Sequence, residues 1–363
     1  FQESLLPDFT NTNAKNWWFS KRDYLFDDIG IDGFKCDGGE FVYYRTTTAS
    51  DGTKGDELRN AYPGQYLKAY HDYAVSKKSD ALIFSRSGAA TAQLHPVTWN
   101  GDQRSSFSAF QDAMRSMISS SISGVPFATW DLAGFGNDAF PTAELYKRSS
   151  AQAAFAPIMQ LHSEQSGDPS PSQARTPWNV ASRLSDNDCL NIYKKFANVR
   201  MSLLPYLYTE AKYTCDNAVP MMRHMAIEFP DDSNAYDQTF QYMFGGSLLV
   251  APVVNQGETN KSVYLPDTEW IDFWHDAQKP GAKTISYNAG VDTIPVFVRT
   301  GSIIPMNLNS SYDLGGTIGN GLGSYNTLTF RIYPYGTTSY DWYDDINSTT
   351  RTITSTEEYD LNK

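Results

Sequence analysis

The stretch Gly30-Ile31-Asp32-Gly33-Phe34-Lys35-Cys36-Asp37-Gly38-Gly39-Glu40 decides the fold. It reads as a buried β-strand that runs into a Gly-Gly turn with an acid on each side. Glycine takes backbone angles that other residues resist, so such a turn can be sharp. A carboxylate held at the end of a strand is aimed, and an aimed carboxylate can do chemistry. Taken alone, Asp-Gly-Gly-Glu is more often an acidic surface turn, and the surrounding sequence has to decide.

Around that strand, short apolar runs alternate with helical patterns up to about residue 230. Helices are expected over residues 17–29, 60–76, 106–120, 145–159 and 188–216, the last with Asp186 or Asp188 as N-cap. Strands are expected over 31–36, 81–85, 125–130 and 220–226. The alternation predicts a parallel sheet with crossover helices. In such folds the working residues lie at the C-terminal ends of strands. Asp37, Arg86 and Asp131 each end one.

After residue 235 the pattern changes to short strands separated by Gly, Pro and Asn turns. That predicts an antiparallel β-sandwich over 236–320, with a further β piece from 321 to 363.

The chain has 363 residues, enough for a large core and more than one domain. Its net charge of −12 argues against nucleic acid or an anionic membrane as partner. No apolar run is long enough to span a bilayer. Three cysteines, Cys36, Cys189 and Cys215, do not make a disulfide framework, and Cys36 reads as a small apolar filler. The five histidines (His71, His95, His162, His224, His275) lack metal-ligand spacing, so neither metal nor cofactor is expected. Sequons at Asn260, Asn309 and Asn347 permit secretion, which is the expectation for location. Opening at Phe1, with Leu5-Leu6-Pro7-Asp8-Phe9 already like the interior of a domain, the sequence reads as part of a longer chain.

A second informative segment is Phe84-Ser85-Arg86-Ser87-Gly88, followed by Trp99-Asn100-Gly101-Asp102. Asp37 and Asp102 supply two carboxyl groups, and Arg86 a guanidinium. Glycoside cleavage needs such a pair: one carboxyl attacks the anomeric carbon, the other protonates the leaving oxygen. Arg86 can bind sugar hydroxyls and a carboxylate through paired donors, and an ion pair with Asp131 is its structural alternative. Trp99 can wall the site. Glu40 is expected to bond backbone amides of its turn. Lys35 is expected either to contact a sugar hydroxyl or to neutralise Asp37.

Together these segments resemble the retaining α-glycosidases of glycoside hydrolase family 31, over about residues 3 to 310. The resemblance implies Asp37 as nucleophile, Asp102 as proton donor and Arg86 as a substrate contact. Asp131-Leu132-Ala133-Gly134-Phe135 resembles a strand end where Asp131 and Phe135 line the sugar pocket. Phe155-Ala156-Pro157-Ile158-Met159-Gln160-Leu161-His162 resembles the segment whose histidine contacts the sugar, here His162.

The implied fold over residues 1–235 is a partial (β/α)8 TIM barrel, about strands four to eight. The missing N-terminal half would be needed to complete the barrel, and one of its carboxylates normally holds two sugar hydroxyls.

Phe-Lys-X-Asp-Gly-Gly-Glu departs from the Trp-X-Asp-Met-Asn-Glu of mammalian-type maltases. Lysine at position 35 also occurs in the α-xylosidase branch, where a bulky aromatic usually follows the nucleophile; here that place is Gly38. The form is closer to microbial α-glucosidases and α-glucosyltransferases. The leading expectation is hydrolysis of terminal α-linked glucose from oligosaccharides through a covalent intermediate. The alternatives are glucosyl transfer by the same mechanism, a xylose or galactose glycone, or a sugar-binding homologue without catalysis.

Overall fold

The computed structural model describes residues 5–88, 90–95, 97–135, 139–162, 174–321 and 323–356. The chain forms two compact units, Phe1–Trp99 and Asn100–Lys363.

In the first unit, helix α1 (Thr12–Ser20) is capped by Asn11, whose side chain accepts from the amides of Asn13 and Ala14. A short π-helical segment, Leu25–Ile29, ends at Gly30 in the left-handed region. One helix expected over 17–29 is thus two pieces, broken at Lys21 and Arg22. Strand β1 (Gly33–Cys36) follows, then the long helix α2 (Gly55–Lys77), β2 (Leu82–Ser85) and β3 (Val97–Trp99). β1 pairs with β2 in parallel, and β2 with β3. Gly33 faces Leu82 so closely that a Cβ would overlap the Leu82 carbonyl, so only glycine lets β1 and β2 approach at that register.

The core between α2 and these strands is aromatic. Tyr62, Tyr70 and Phe19 are buried with Leu58, Leu67 and Ile83. Cys36 lies in this core, and burial pushes its thiol up to about 12, the behaviour of an inert apolar filler. The apolar stripe of α2 therefore fixes where β1 ends, and with it the place of Asp37.

The second unit begins with α3 (Phe107–Ile122), capped by Ser106, then β4 (Phe127–Thr129) and α4 (Ala143–Ala153). α4 stops at Ala153 and does not continue to residue 159; the chain turns there and again before Gln160. Helices α5 (Pro177–Leu184), α6 (Asp188–Ser202) and α7 (Leu204–Asn217) follow. The single helix expected over 188–216 is split at Leu203, because Pro205 cannot donate a backbone hydrogen bond and is tolerated only in a first turn. The N-cap is Asn187, neither of the two expected residues; the Asp186 carboxylate accepts the amide of Asp188 at 3.0 Å and pairs with Lys147 at 2.7 Å.

Strand β5 (Met222–His224) departs from the expectation of a parallel series. It pairs antiparallel with β6 (Tyr242–Phe244), after a one-turn helix α8 (Met225–Glu228). The sheet of the later domain thus takes in a strand that lies before residue 235. It continues through β7 (Leu248–Val250), while β8 (Asn260–Leu265) leaves it and β9 (Glu269–Asp272) returns. β10 (Gln278–Pro280), β11 (Lys283–Asn288) and β12 (Val296–Arg299) complete the set. The six-stranded order is β10-β9-β12-β7-β6-β5, all antiparallel, and β8 pairs with β11 apart from it. One core takes Met243, Leu249, Trp270 and Phe297 from the first sheet and Val263, Leu265 and Tyr287 from the second, the packing of a sandwich.

The last strands pair as β13 (Ser302–Met306) with β14 (Thr329–Tyr333) and β15 (Thr338–Asp344) with β16 (Thr349–Ser355). β15 lies on α7: Tyr340 donates to Glu210 at 3.1 Å, and the Tyr343 amide to Thr209 at 3.1 Å. No helix among the described residues is long and apolar enough to cross a membrane.

Candidate active site

In the first unit, β1 delivers Asp37 to its C-terminal end, where its side chain is 66% exposed. Gly38 and Gly39 both have positive φ, +78° and +98°. Two left-handed residues in succession fold the chain back over the strand end, which a Cβ would resist. The turn is tied down from three sides. The Gly38 amide donates to the Asp37 carboxylate at 2.7 Å. Ser87 donates to the Gly38 carbonyl at 2.6 Å, and Tyr66 to the Asp37 carbonyl at 3.1 Å. A Cβ on Gly39 would sit 2.4 Å from the Ser87 hydroxyl, so glycine is what allows Ser87 to approach.

Arg86, at the end of β2, spans the turn. Its Nη1 lies 2.9 Å from Asp37 and its Nη2 2.5 Å from Glu40. Glu40 is therefore an ion-pair partner of Arg86, not a cap for turn amides as expected. The guanidinium uses separate nitrogens for the two acids, so it fixes the rotamer of Asp37 while its charge is shared. Lys35 does not neutralise Asp37. Its Nζ sits over the Trp99 ring, 4.1 Å from the centroid, and 5.6 Å from that of Phe84. Trp99 is only 3% exposed, so its ring is a platform under Lys35 and not an open wall. The first unit thus brings Asp37, Arg86, Lys35 and Trp99 to neighbouring strand ends.

In the second unit, Asp102 follows Gly101 (φ +79°) in a loop, and its side chain is exposed. The base of the loop is anchored at Asn100. The Asn100 amide donates to the Thr129 carbonyl at the end of β4 (3.0 Å), and its side chain to the Ala113 carbonyl in α3 (3.2 Å). Asp131 is fully buried just past β4 and accepts a 2.6 Å hydrogen bond from Gln160. Ala133 and Gly134 turn the chain through positive φ, and the Phe135 amide donates to the Gln103 carbonyl at 2.8 Å. A Cβ on Gly134 would lie 2.7 Å from the Arg104 carbonyl, so the Asp102 loop and the Asp131 loop are in backbone contact. Phe135 packs on His162, with ring centroids 4.3 Å apart. Asp102, Asp131, Phe135 and His162 therefore belong to one cluster.

Four contributors were not singled out as site residues from the sequence. Arg175 is buried and reaches Ser105 (2.7 Å), the Gly134 carbonyl (3.3 Å) and the Ala139 carbonyl (2.7 Å), pinning both loops. Gln160 orients Asp131, while Tyr66 and Ser87 orient the nucleophile turn. Ser87 and Gln160 lay inside quoted motifs. Nothing local marked Tyr66 or Arg175.

Gln103, next to Asp102, is unusual. Both polar atoms of its side-chain amide are buried, and neither has a hydrogen-bond partner among the described residues. A buried amide without partners costs about 1–3 kcal/mol. Gln103→Met keeps the length and removes both unpaired groups, so its melting temperature should equal or exceed that of the parent in a thermal unfolding scan. A clear fall would show that the amide is satisfied in solution.

Residues 2–210 match the glycosyl hydrolases family 31 TIM-barrel domain, and residues 218–304 the glycosyl hydrolase family 31 C-terminal domain. The chain belongs to glycosyl hydrolase family 31. Among its family 31 relatives, an isomaltosyltransferase of Sporosarcina globispora is 60% identical over 363 residues, which is 100% of this chain and 33% of that protein. The solved structure of a cycloalternan-forming enzyme from Listeria monocytogenes, in complex with a pentasaccharide substrate, superposes with a TM-score of 0.92 at 52% identity. It covers 97% of this chain and 33% of that one. A cycloalternan-degrading enzyme from Trueperella pyogenes, solved with a covalent intermediate, gives a TM-score of 0.78 at 37% identity, over 82% of this chain and 41% of that one. The chain therefore spans about a third to two fifths of the length of these relatives.

Proposed function

We propose that this chain carries the catalytic pair of a retaining family 31 enzyme that transfers an α-linked glucosyl or isomaltosyl unit between oligosaccharides. The observation that carries the reaction class is the aimed carboxylate: Asp37 at a strand end, oriented by Arg86, the Gly38 amide and a doubly anchored Gly-Gly turn. In the first half-reaction an Asp37 oxygen attacks the anomeric carbon, and the glycosidic C–O bond breaks. The leaving oxygen takes its proton from Asp102, which has to carry one at rest. In the second, an incoming hydroxyl gives its proton to Asp102 and bonds to the same carbon as the ester to Asp37 breaks. Two inversions restore the α configuration. The remaining residues bind and orient: Arg86, Lys35, Asp131 and His162 offer charge and hydrogen bonds, and Phe135 an apolar edge.

Transfer is favoured over hydrolysis by the likeness to the isomaltosyltransferase along all 363 residues. Hydrolysis is the second reading, favoured by the likeness to the cycloalternan-degrading enzyme, whose covalent intermediate fits the same chemistry with water as acceptor. The test uses the intact protein with α-linked gluco-oligosaccharides. NMR reads the anomer first formed, and chromatography reads longer or cyclic products as acceptor concentration rises. The α-anomer together with transfer products is the expected result. A β-anomer would sink the retaining mechanism, and release of reducing sugar alone would sink transfer.

A further inference from the structure

Resting on the proposed function, we propose that Phe41 and Tyr43 form an aromatic ledge beside Asp37. It would receive the leaving sugar in the first half-reaction and the acceptor sugar in the second. The ledge follows from the turn. A Cβ placed on Gly38 would lie 3.0 Å from the edge of the Phe41 ring, so Phe41 fills the space that a side chain directly after Asp37 would take. The ring also lies 5.9 Å from the Arg86 guanidinium, the group that orients Asp37. Tyr43 continues the surface, its ring centroid 6.1 Å from that of Phe41, and it is 53% exposed.

The segment is held at both ends. Tyr66 and Ser87 bind the carbonyls of Asp37 and Gly38. Arg59 donates to the carbonyls of Val42 (3.2 Å) and Tyr43 (3.4 Å), and Val42 is buried between the two rings in sequence. The two rings are therefore set in place before any sugar arrives, which lowers the ordering cost of binding.

The side of the bond follows from chain order. Lys35 lies on β1, two residues before Asp37, and Trp99 ends β3. Phe41 and Tyr43 come after Asp37, past the Gly-Gly turn. The transferred sugar must bring its anomeric carbon to the strand ends, and the ledge past the turn is assigned to the sugar beyond the bond. Flat apolar faces with a phenol tip match the C–H face and hydroxyls of a neutral hexopyranose.

The test compares Phe41→Ala, Tyr43→Ala and Phe41→Tyr in the intact protein, each with an oligosaccharide donor and the matching glycosyl fluoride. The fluoride has a one-atom leaving group that cannot reach the ledge. Each alanine variant should lower the ratio of transfer to hydrolysis about 10-fold, and Phe41→Tyr should restore it. The loss in kcat/KM should be larger for the oligosaccharide than for the fluoride. Equal losses on both donors, or an unchanged transfer ratio, overturn the ledge. If Phe41→Ala does not fold, Tyr43→Ala decides alone, since its side chain is exposed. A parent protein that forms no transfer product overturns transfer; the ledge then stands or falls on the donor comparison.

Discussion

Asp37→Ala should abolish turnover while leaving the first unit folded. Loss of the atom that forms the covalent bond costs about 10^4-fold or more in kcat. Folding should survive, because the side chain is 66% exposed and Arg86 keeps Glu40 as a partner when Asp37 is gone. The anchors of the turn, Tyr66 and Ser87, hold backbone carbonyls that the substitution does not touch. Added azide has room to enter the vacated position, and with a glycosyl fluoride donor it should yield the anomer opposite to that of the parent's product. The measurement is kcat on an oligosaccharide beside a thermal melt. A folded variant with near-parental turnover would remove Asp37 from the mechanism.

Asp102→Ala should show a loss that depends on the donor. General acid catalysis contributes about 10^2–10^4-fold, and only where the leaving oxygen needs a proton. An oligosaccharide should therefore lose that factor, whereas a glycosyl fluoride should still form the intermediate. Its breakdown then stalls for want of a base, so the glycosyl-enzyme should accumulate and be visible in the intact mass of the protein. Azide needs no base and should release it with the α configuration kept. The base of the loop keeps its Asn100 anchors in this variant, since they do not involve residue 102. Equal losses on both donors would assign Asp102 to binding.

How much of this was legible beforehand differs by residue. β1 and the Gly-Gly turn were readable, since strand periodicity and the need for positive φ are properties of neighbours in the chain. The change from alternating elements to short strands was readable for the same reason. The break at Leu203 was missed although Pro205 marked it, because apolar periodicity continues across the joint. The antiparallel place of Met222–His224 was not readable, since a three-residue strand looks alike in either kind of sheet.

The candidate site divides along the same line. By itself, the sequence determined which acids stand at strand ends and loop starts, through local geometry and motif order: Asp37, Asp102 and Asp131. Tertiary structure alone decided what holds each of them. Glu40 pairs with Arg86 across 46 residues, and Ser87 anchors Gly38 across 49. Arg175 ties Ser105 to Gly134 from 70 and 41 residues away. Trp99 turned from an expected sugar wall into a covered platform for Lys35 because burial depends on what the fold stacks above a ring. Such partners are chosen by packing, and packing leaves no period in the chain.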